Sequence, residues 1–180
     1  MITSAGIDPS PAHCYLSVTD RNGRIQAWPK ANDFTVAEVC KQVDVVVVET
    51  PEVGHGWRPE AVRNLMPTIH HAGEIAGMLK QTMSSTQTVL EVSPEMIREV
   101  TCGWEKRLRT NADKHIEAWL RRQHLAPEQG LDYESIQACF QKGKGPLSTA
   151  DKRDAYLAAW FGIMVLKDKY LQLKCFGQYL

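Results

Sequence analysis

No Cys-x-x-Cys pair occurs in this 180-residue chain; its five cysteines (Cys14, Cys40, Cys102, Cys139, Cys175) lie far apart and are odd in number. That pattern argues against a zinc site and for free thiols in a reducing compartment. The six histidines form no His-Glu-x-x-His, and the adjacent His70 and His71 would point about 100° apart on a helix. A phosphate-binding Gly-x4-Gly-Lys-Ser/Thr loop is missing too; Lys142-Gly-Lys-Gly-Pro146 reads as a flexible basic loop. Met1–Ser4 has neither a basic nor an apolar leader character, so no signal peptide is expected. The longest apolar run, Ala155–Leu166, is twelve residues, short of the ~18–20 that span a bilayer. These absences make a cytoplasmic protein with no membrane partner the expectation.

Net charge is also absent, with 21 Lys and Arg against 21 Asp and Glu, but the balance hides an asymmetry. Residues 1–97 carry 7 basic and 11 acidic groups, whereas residues 98–180 carry 14 and 10. The second half is the side suited to a polyanion. A hydrophobic fraction of 43% excludes disorder, and the length fits one domain spanning 1–180.

An apolar stub, Ala5-Gly6-Ile7, ends in Asp8-Pro9-Ser10-Pro11. His13–Thr19 alternates as a strand, Asp20–Gly23 signals a hairpin turn, and Arg24–Trp28 is the expected partner. Phe34–Gln42 reads as a short helix. Val43–Val48 is a nearly unbroken β-branched run suited to a strand buried on both faces, and it ends in Glu49. Helical spacing recurs over Pro59–Gln81, where Pro67 is expected to kink the helix or mark where its main part starts. Thr88–Val92 is a further strand, and Ser93-Pro94 caps the helix after it. Thr101–Thr110 reads as a loop, and a helix runs from Asn111 or Asp113 to about His124. Residues 126–145 are irregular, with one short helix over Tyr133–Phe140, and Ser148 or Thr149 caps a last helix reaching roughly Leu173. The pattern predicts an α/β fold: a mixed central sheet flanked by helices.

Four carboxylates sit where carboxylates are costly. Asp8 ends the apolar stub, Glu49 ends the most apolar strand, and Asp151 and Asp154 share one face at the start of a helix that is apolar nearly all round. Alone, each has a plain explanation: a turn residue, a strand-end acid paired with Arg58 or Arg63, or acids favoured by the helix dipole. Together they would repel one another, and hard divalent ions such as Mg²⁺ relieve that. Two such ions about 4 Å apart are the usual device for phosphodiester cleavage.

At this point the sequence resembles the RuvC-type Holliday junction resolvases of the RNase H-like fold, especially their divergent phage branch. The resemblance is carried by Gly6-Ile7-Asp8-Pro9-Ser10, Val45–Glu49, Ser93–Thr101, Asn111-Ala-Asp113-Lys114 and Asp151-Lys152-Arg153-Asp154-Ala155, in family order along nearly the whole chain. It implies a catalytic tetrad at Asp8, Glu49, Asp151 and Asp154, holding two Mg²⁺ (or Mn²⁺) ions. It also implies a lysine at the scissile phosphate, Lys114, and products bearing 5′-phosphate and 3′-hydroxyl ends. A homodimer acting on a four-way junction, in a bacterial or phage-infected cell, follows from the same resemblance. Two departures stand out. The stretch from Lys114 to Asp151 is longer than the family pattern, making 126–145 an insertion. The bacterial proteins also carry a wedge aromatic close behind the catalytic Glu, whereas here the nearest are His55 and Trp57.

Trp104-Glu-Lys106-Arg107-Leu-Arg109 interleaves an aromatic with cations, as expected for phosphate neutralisation and base stacking. Lys114, Arg121, Arg122, Lys142, Lys144, Lys152 and Arg153 extend the basic half, and Trp57 could stack on an unpaired base. The plain alternatives are a solvated charged face and a Trp57 that covers the core. Three other functions compete: a module that grips branched DNA without cutting, an RNase H-like enzyme acting on RNA or RNA–DNA hybrid, and an actin-like ATPase, which needs a second lobe. Replacing Lys106 and Arg107 by Ala should weaken four-way-junction binding and lower its salt slope by about 1 per lost phosphate contact. Fluorescence anisotropy across a salt series checks this, and an unchanged slope removes the loop from the DNA surface.

Overall fold

Side-chain alternation along the strands sorts one sheet into two unlike faces. The computed structural model describes residues 2–27, 30–31, 33–54, 56–105, 111–125, 132–140 and 149–178. Strands β1 (Thr3–Pro9) and β2 (Cys14–Asp20) pair antiparallel, with Asp8 opposite Tyr15. Asp20 turns the chain, its carboxylate accepting the backbone N–H of Asn22 at 2.8 Å and of Arg24 at 3.1 Å. Both β3 (Ile25–Ala27) and β4 (Lys30–Ala31) then pair with β2. Helix α1 (Asp33–Cys40) leads into β5 (Val45–Glu49), parallel to β1. Helix α2 (Pro59–Thr82) returns the chain to β6 (Thr88–Val92), parallel to β5. The sheet order is β3-β2-β1-β5-β6. Helices α3 (Pro94–Cys102), α4 (Ala112–Leu125), α5 (Tyr133–Ala138), α6 (Thr149–Lys167) and α7 (Lys169–Phe176) follow.

One face is aliphatic: Ala5, Ile7, Leu16, Val46 and Val48 pack with Val36 of α1 and with Ala72, Ile75 and Leu79 of α2. On the other, Val45, Val47, Leu90 and Val92 meet Leu157, Trp160 and Phe161 of α6, Ile97 of α3, and Ile116 and Leu120 of α4. Strand β5 is thus buried on both faces, as its β-branched run predicts. Beneath α6, β1 and β2 offer only small or polar groups: Ser4, Gly6, Ser17 and Thr19, all buried. A Cβ at Gly6 would lie 2.1 Å from the Ala155 carbonyl oxygen and 2.2 Å from the Ala159 nitrogen. A Cβ at Gly162 would lie 2.4 Å from Ser4 Oγ and 3.0 Å from a Val47 methyl. Helix α6 therefore rests almost on the bare backbone of β1.

Several sequence expectations need adjusting. Helix α2 runs unbroken through Pro67, whose position faces solvent, where water can serve the carbonyl that loses its N–H partner. The last helix is two, because the Asp168 carboxylate accepts the backbone N–H groups of Tyr170 and Leu171 and starts α7 afresh. Helix α3 absorbs Thr101 and Cys102 from the expected loop before Gly103 closes it in the left-handed region. Of the expected insertion, residues 126–131 and 141–145 lie outside the described residues. Between them α5 is no loose appendage: Ile136 and Cys139 are in the core, and Ser135 Oγ accepts the Ile25 N–H at 2.7 Å. All five cysteines are free, and among the described residues no helix is long and apolar enough to cross a membrane.

The glycine contacts separate two kinds of substitution. Gly6→Ala should cost about 3 kcal/mol or more, because backbone and not a movable side chain blocks the methyl. Gly73→Ala on the open side of α2, where a Cβ meets nothing within 4 Å, should stabilise by about 0.5–1 kcal/mol. Urea denaturation of both variants checks the contrast.

Candidate active site

Three parallel strands end at one edge of the sheet, and the sequence places acids at two of those ends. The β1–β5 register pairs Ile7 with Val48, so its next step sets Asp8 beside Glu49. Alternation turns both toward α6: Asp8 shares the parity of Ser4 and Gly6, and Glu49 that of Val45 and Val47. The seat of α6 on Gly6, made through Ala155 and Ala159, holds the preceding turn, with Asp151 and Asp154, over the same edge.

The charges of the acids act on one another. Burial pushes the Asp8 carboxyl up to about 8, with the charges of Asp154 and Asp151 adding to the rise. Glu49, only 7% exposed, is raised by burial and then by Asp8 and Asp154. Asp154 is also raised, with burial outweighing two nearby arginines. One of these, Arg98 of α3, forms an ion pair with Asp154 at 3.6 Å and draws down Asp8 and Glu49 as well. Arg98 is the counter-charge that sequence reasoning missed; the plain alternative for Glu49, a pairing with Arg58 or Arg63, names two residues that are both exposed. The available signal was weak, a single basic residue in α3 next to buried Ile97. Tyr15, across from Asp8, has its hydroxyl raised by burial and then by the charge of Asp151.

The remaining sequence candidates divide. Asn111 caps α4 by accepting the Lys114 N–H at 3.2 Å, and the charge of Asp113 reaches Asp154. The start of α4, with exposed Lys114, therefore stands at the rim of the cluster. Trp57 is 40% exposed and its indole lies over Gly54, on the segment that follows Glu49. Lys152 is half-buried. Two expectations are corrected. Trp104 is a core residue: Gly103 at φ 69° reverses the chain, the Trp104 N–H returns to the Arg98 carbonyl at 3.2 Å, and the ring packs inward. Arg153, expected as a DNA contact, is 6% exposed and ion-paired with Glu117 of α4 at 3.1 Å, so its guanidinium braces α6 and α4. Arg121 lies over the Phe140 ring. His55, Lys106, Arg107 and Arg109 lie outside the described residues.

The donor set is all carboxylate oxygen, with more negative charge than Arg98 offsets, which is the chemistry of a hard divalent-cation site. Among the described residues no three His, Cys, Asp or Glu side chains already stand as ligands around one point. Arg98 offsets part of the cluster's negative charge.

No protein-family model matches the chain, and no curated protein sequence does. Among solved structures, the Thermus thermophilus RuvC structure is similar at a TM-score of 0.52 and 17% identity, over 89% of this chain and 92% of that one. T. thermophilus RuvC in complex with Holliday junction substrate is similar over the same shares at 14% identity and a TM-score of 0.48. The fold is RuvC-like, an RNase H-like mixed sheet flanked by helices.

The raised Asp8 fixes the sign of a pH effect. The unfolded chain releases this proton near 3.8, while the folded chain keeps it until about 8. Between those values the folded state binds more protons, so stability falls as pH rises through that window. Asp8→Asn should flatten this slope and raise the metal-free melting temperature at pH 8. Thermal melts in EDTA from pH 4 to 9 check it.

Proposed function

We propose that this chain is a divalent-metal-dependent endonuclease that cuts four-way DNA junctions or closely related branched DNA, leaving 5′-phosphate and 3′-hydroxyl ends. One observation carries the reading: buried Glu49 and half-buried Asp8 and Asp154, from β5, β1 and α6, have raised proton affinities and act on one another at one end of the sheet. The RuvC-like fold is consistent with it. Asp8, Glu49, Asp151 and Asp154 would hold the ions, Mg²⁺ foremost. When bound, such ions supply an activated water and stabilise the leaving oxygen. Arg98 lowers the net charge of the cluster, so an incoming phosphate meets less repulsion. Lys114, exposed in the first turn of α4, would neutralise the scissile phosphate. Trp57 is exposed and available to stack on an unpaired base. A homodimer would set two such sites on opposed strands. The outer turns of α2, with Met66 exposed and Val62, Leu65 and Ile69 half-buried, leave apolar surface for a second copy.

The test is a panel of labelled four-way, Y-shaped, linear duplex and RNA–DNA hybrid substrates with Mg²⁺ or EDTA. Cutting of the four-way junction in Mg²⁺ alone is the expected result. Preferential cutting of the hybrid would instead establish a ribonuclease, and junction binding without cutting a binding module. Asp8→Asn and Asp151→Asn should each abolish cleavage while junction affinity in a gel-shift assay is kept or tightened. Loss of both activities together would mean these acids serve folding.

A further inference from the structure

Polar contacts close a ring through the three helices around the acids. Arg98 of α3 pairs with Asp154 of α6 at 3.6 Å. Arg153 of α6 pairs with Glu117 of α4 at 3.1 Å. His115 of α4 completes the ring, its Nε2 lying 2.9 Å from the carbonyl oxygen of Cys102, the last residue of α3. A carbonyl only accepts, so Nε2 carries the proton and donates it. That oxygen belongs to the last turn of α3, where a helix leaves its carbonyls without partners of its own.

Both contacts made by α4 fall within one turn of Lys114. His115 is its neighbour, and Glu117, at i+3, shares its side of the helix. Asn111 caps the same turn on the Lys114 N–H at 3.2 Å. Burial of Ile116, Trp119 and Leu120 decides which side of α4 turns inward, but apolar attraction is not directional. A hydrogen bond is, and the ion pair on the other side is sheltered from water. Arg153 is 6% exposed, and among the described residues its Nε and Nη1 have no hydrogen-bond partner, which leaves the Glu117 carboxylate as its ion pair.

We infer that His115 and Glu117 are positioning residues for Lys114, fixing the first turns of α4 against α3 and α6 so that the lysine meets a DNA phosphate beside the acids from a set place. The inference rests on the reading above, which gives Lys114 that phosphate. Ordering the helix beforehand spares the complex the cost of ordering it on binding.

Anisotropy of a labelled four-way junction across a salt series in EDTA provides the test. Lys114→Ala should lower the salt slope by about 1. Glu117→Ala and His115→Leu should each lower it toward the Lys114→Ala value. Glu117→Gln and His115→Gln, which keep an acceptor oxygen and an N–H donor, should stay near wild type. Loss of the Glu117 charge alone would move both Glu117 variants alike, toward tighter binding of a polyanion. Combined with Lys114→Ala, neither Glu117→Ala nor His115→Leu should lower the slope further. The two positions are read independently, so a Glu117→Ala chain that fails to fold leaves the two His115 variants to decide. Equal effects of the paired variants at either position, or slopes that keep falling in the double variants, overturn the inference and leave the nuclease reading standing. A Lys114→Ala slope equal to wild type does the same. A wild-type chain that neither binds the junction nor cuts it in Mg²⁺ overturns both.

Discussion

Helix α6 can lie against β1 only because Gly6 and Gly162 have no side chains, and the arrangement of the site depends on that contact. A helix held off by ordinary side chains would carry Asp151 and Asp154 away from Asp8 and Glu49. The close approach also explains why β1 and β2 keep Ser4, Ser17 and Thr19 beneath the helix, where larger apolar groups would be expected. Among the described residues the hydroxyls of all three are buried without a hydrogen-bond partner, a situation that costs roughly 1–3 kcal/mol for each group. Their small volume is what the contact requires.

Charge is handled in the same spirit. Three of the four acids are raised chiefly by burial, so the folded chain holds them in a state that water alone would not favour. Arg98 offsets part of this, and Arg153 reaches Asp154 from within the α4–α6 contact. The residual imbalance is a destabilisation located where chemistry would take place, which is a common relation between stability and function. It also explains why β5 must be so apolar: four consecutive valines anchor the strand that ends in buried Glu49.

Much of this was readable in the chain before folding, for local reasons. A β-branched run marks β5, Ser93-Pro94 marks the start of α3, and acids at the ends of apolar segments mark the cluster. What escaped depends on contacts distant in sequence or on a single backbone angle. Arg98 acquires its role only when α3 packs against α6. Trp104 sits in a polar stretch and looks exposed until Gly103 reverses the chain. Arg153 lies between two of the acids in sequence, yet the helix turns it toward Glu117. The break at Asp168 was masked because apolar residues continue on both sides of it.

The two faces of β1 also govern its alignment. Shifted by one residue against its neighbours, the strand would press Ile7 into the backbone of α6 and drive the Asp8 carboxylate into the aliphatic layer beside Val36 and Ile75. Both errors are severe and they occur together. The alternation that aims the acids therefore also guards against a one-residue slip while the sheet forms.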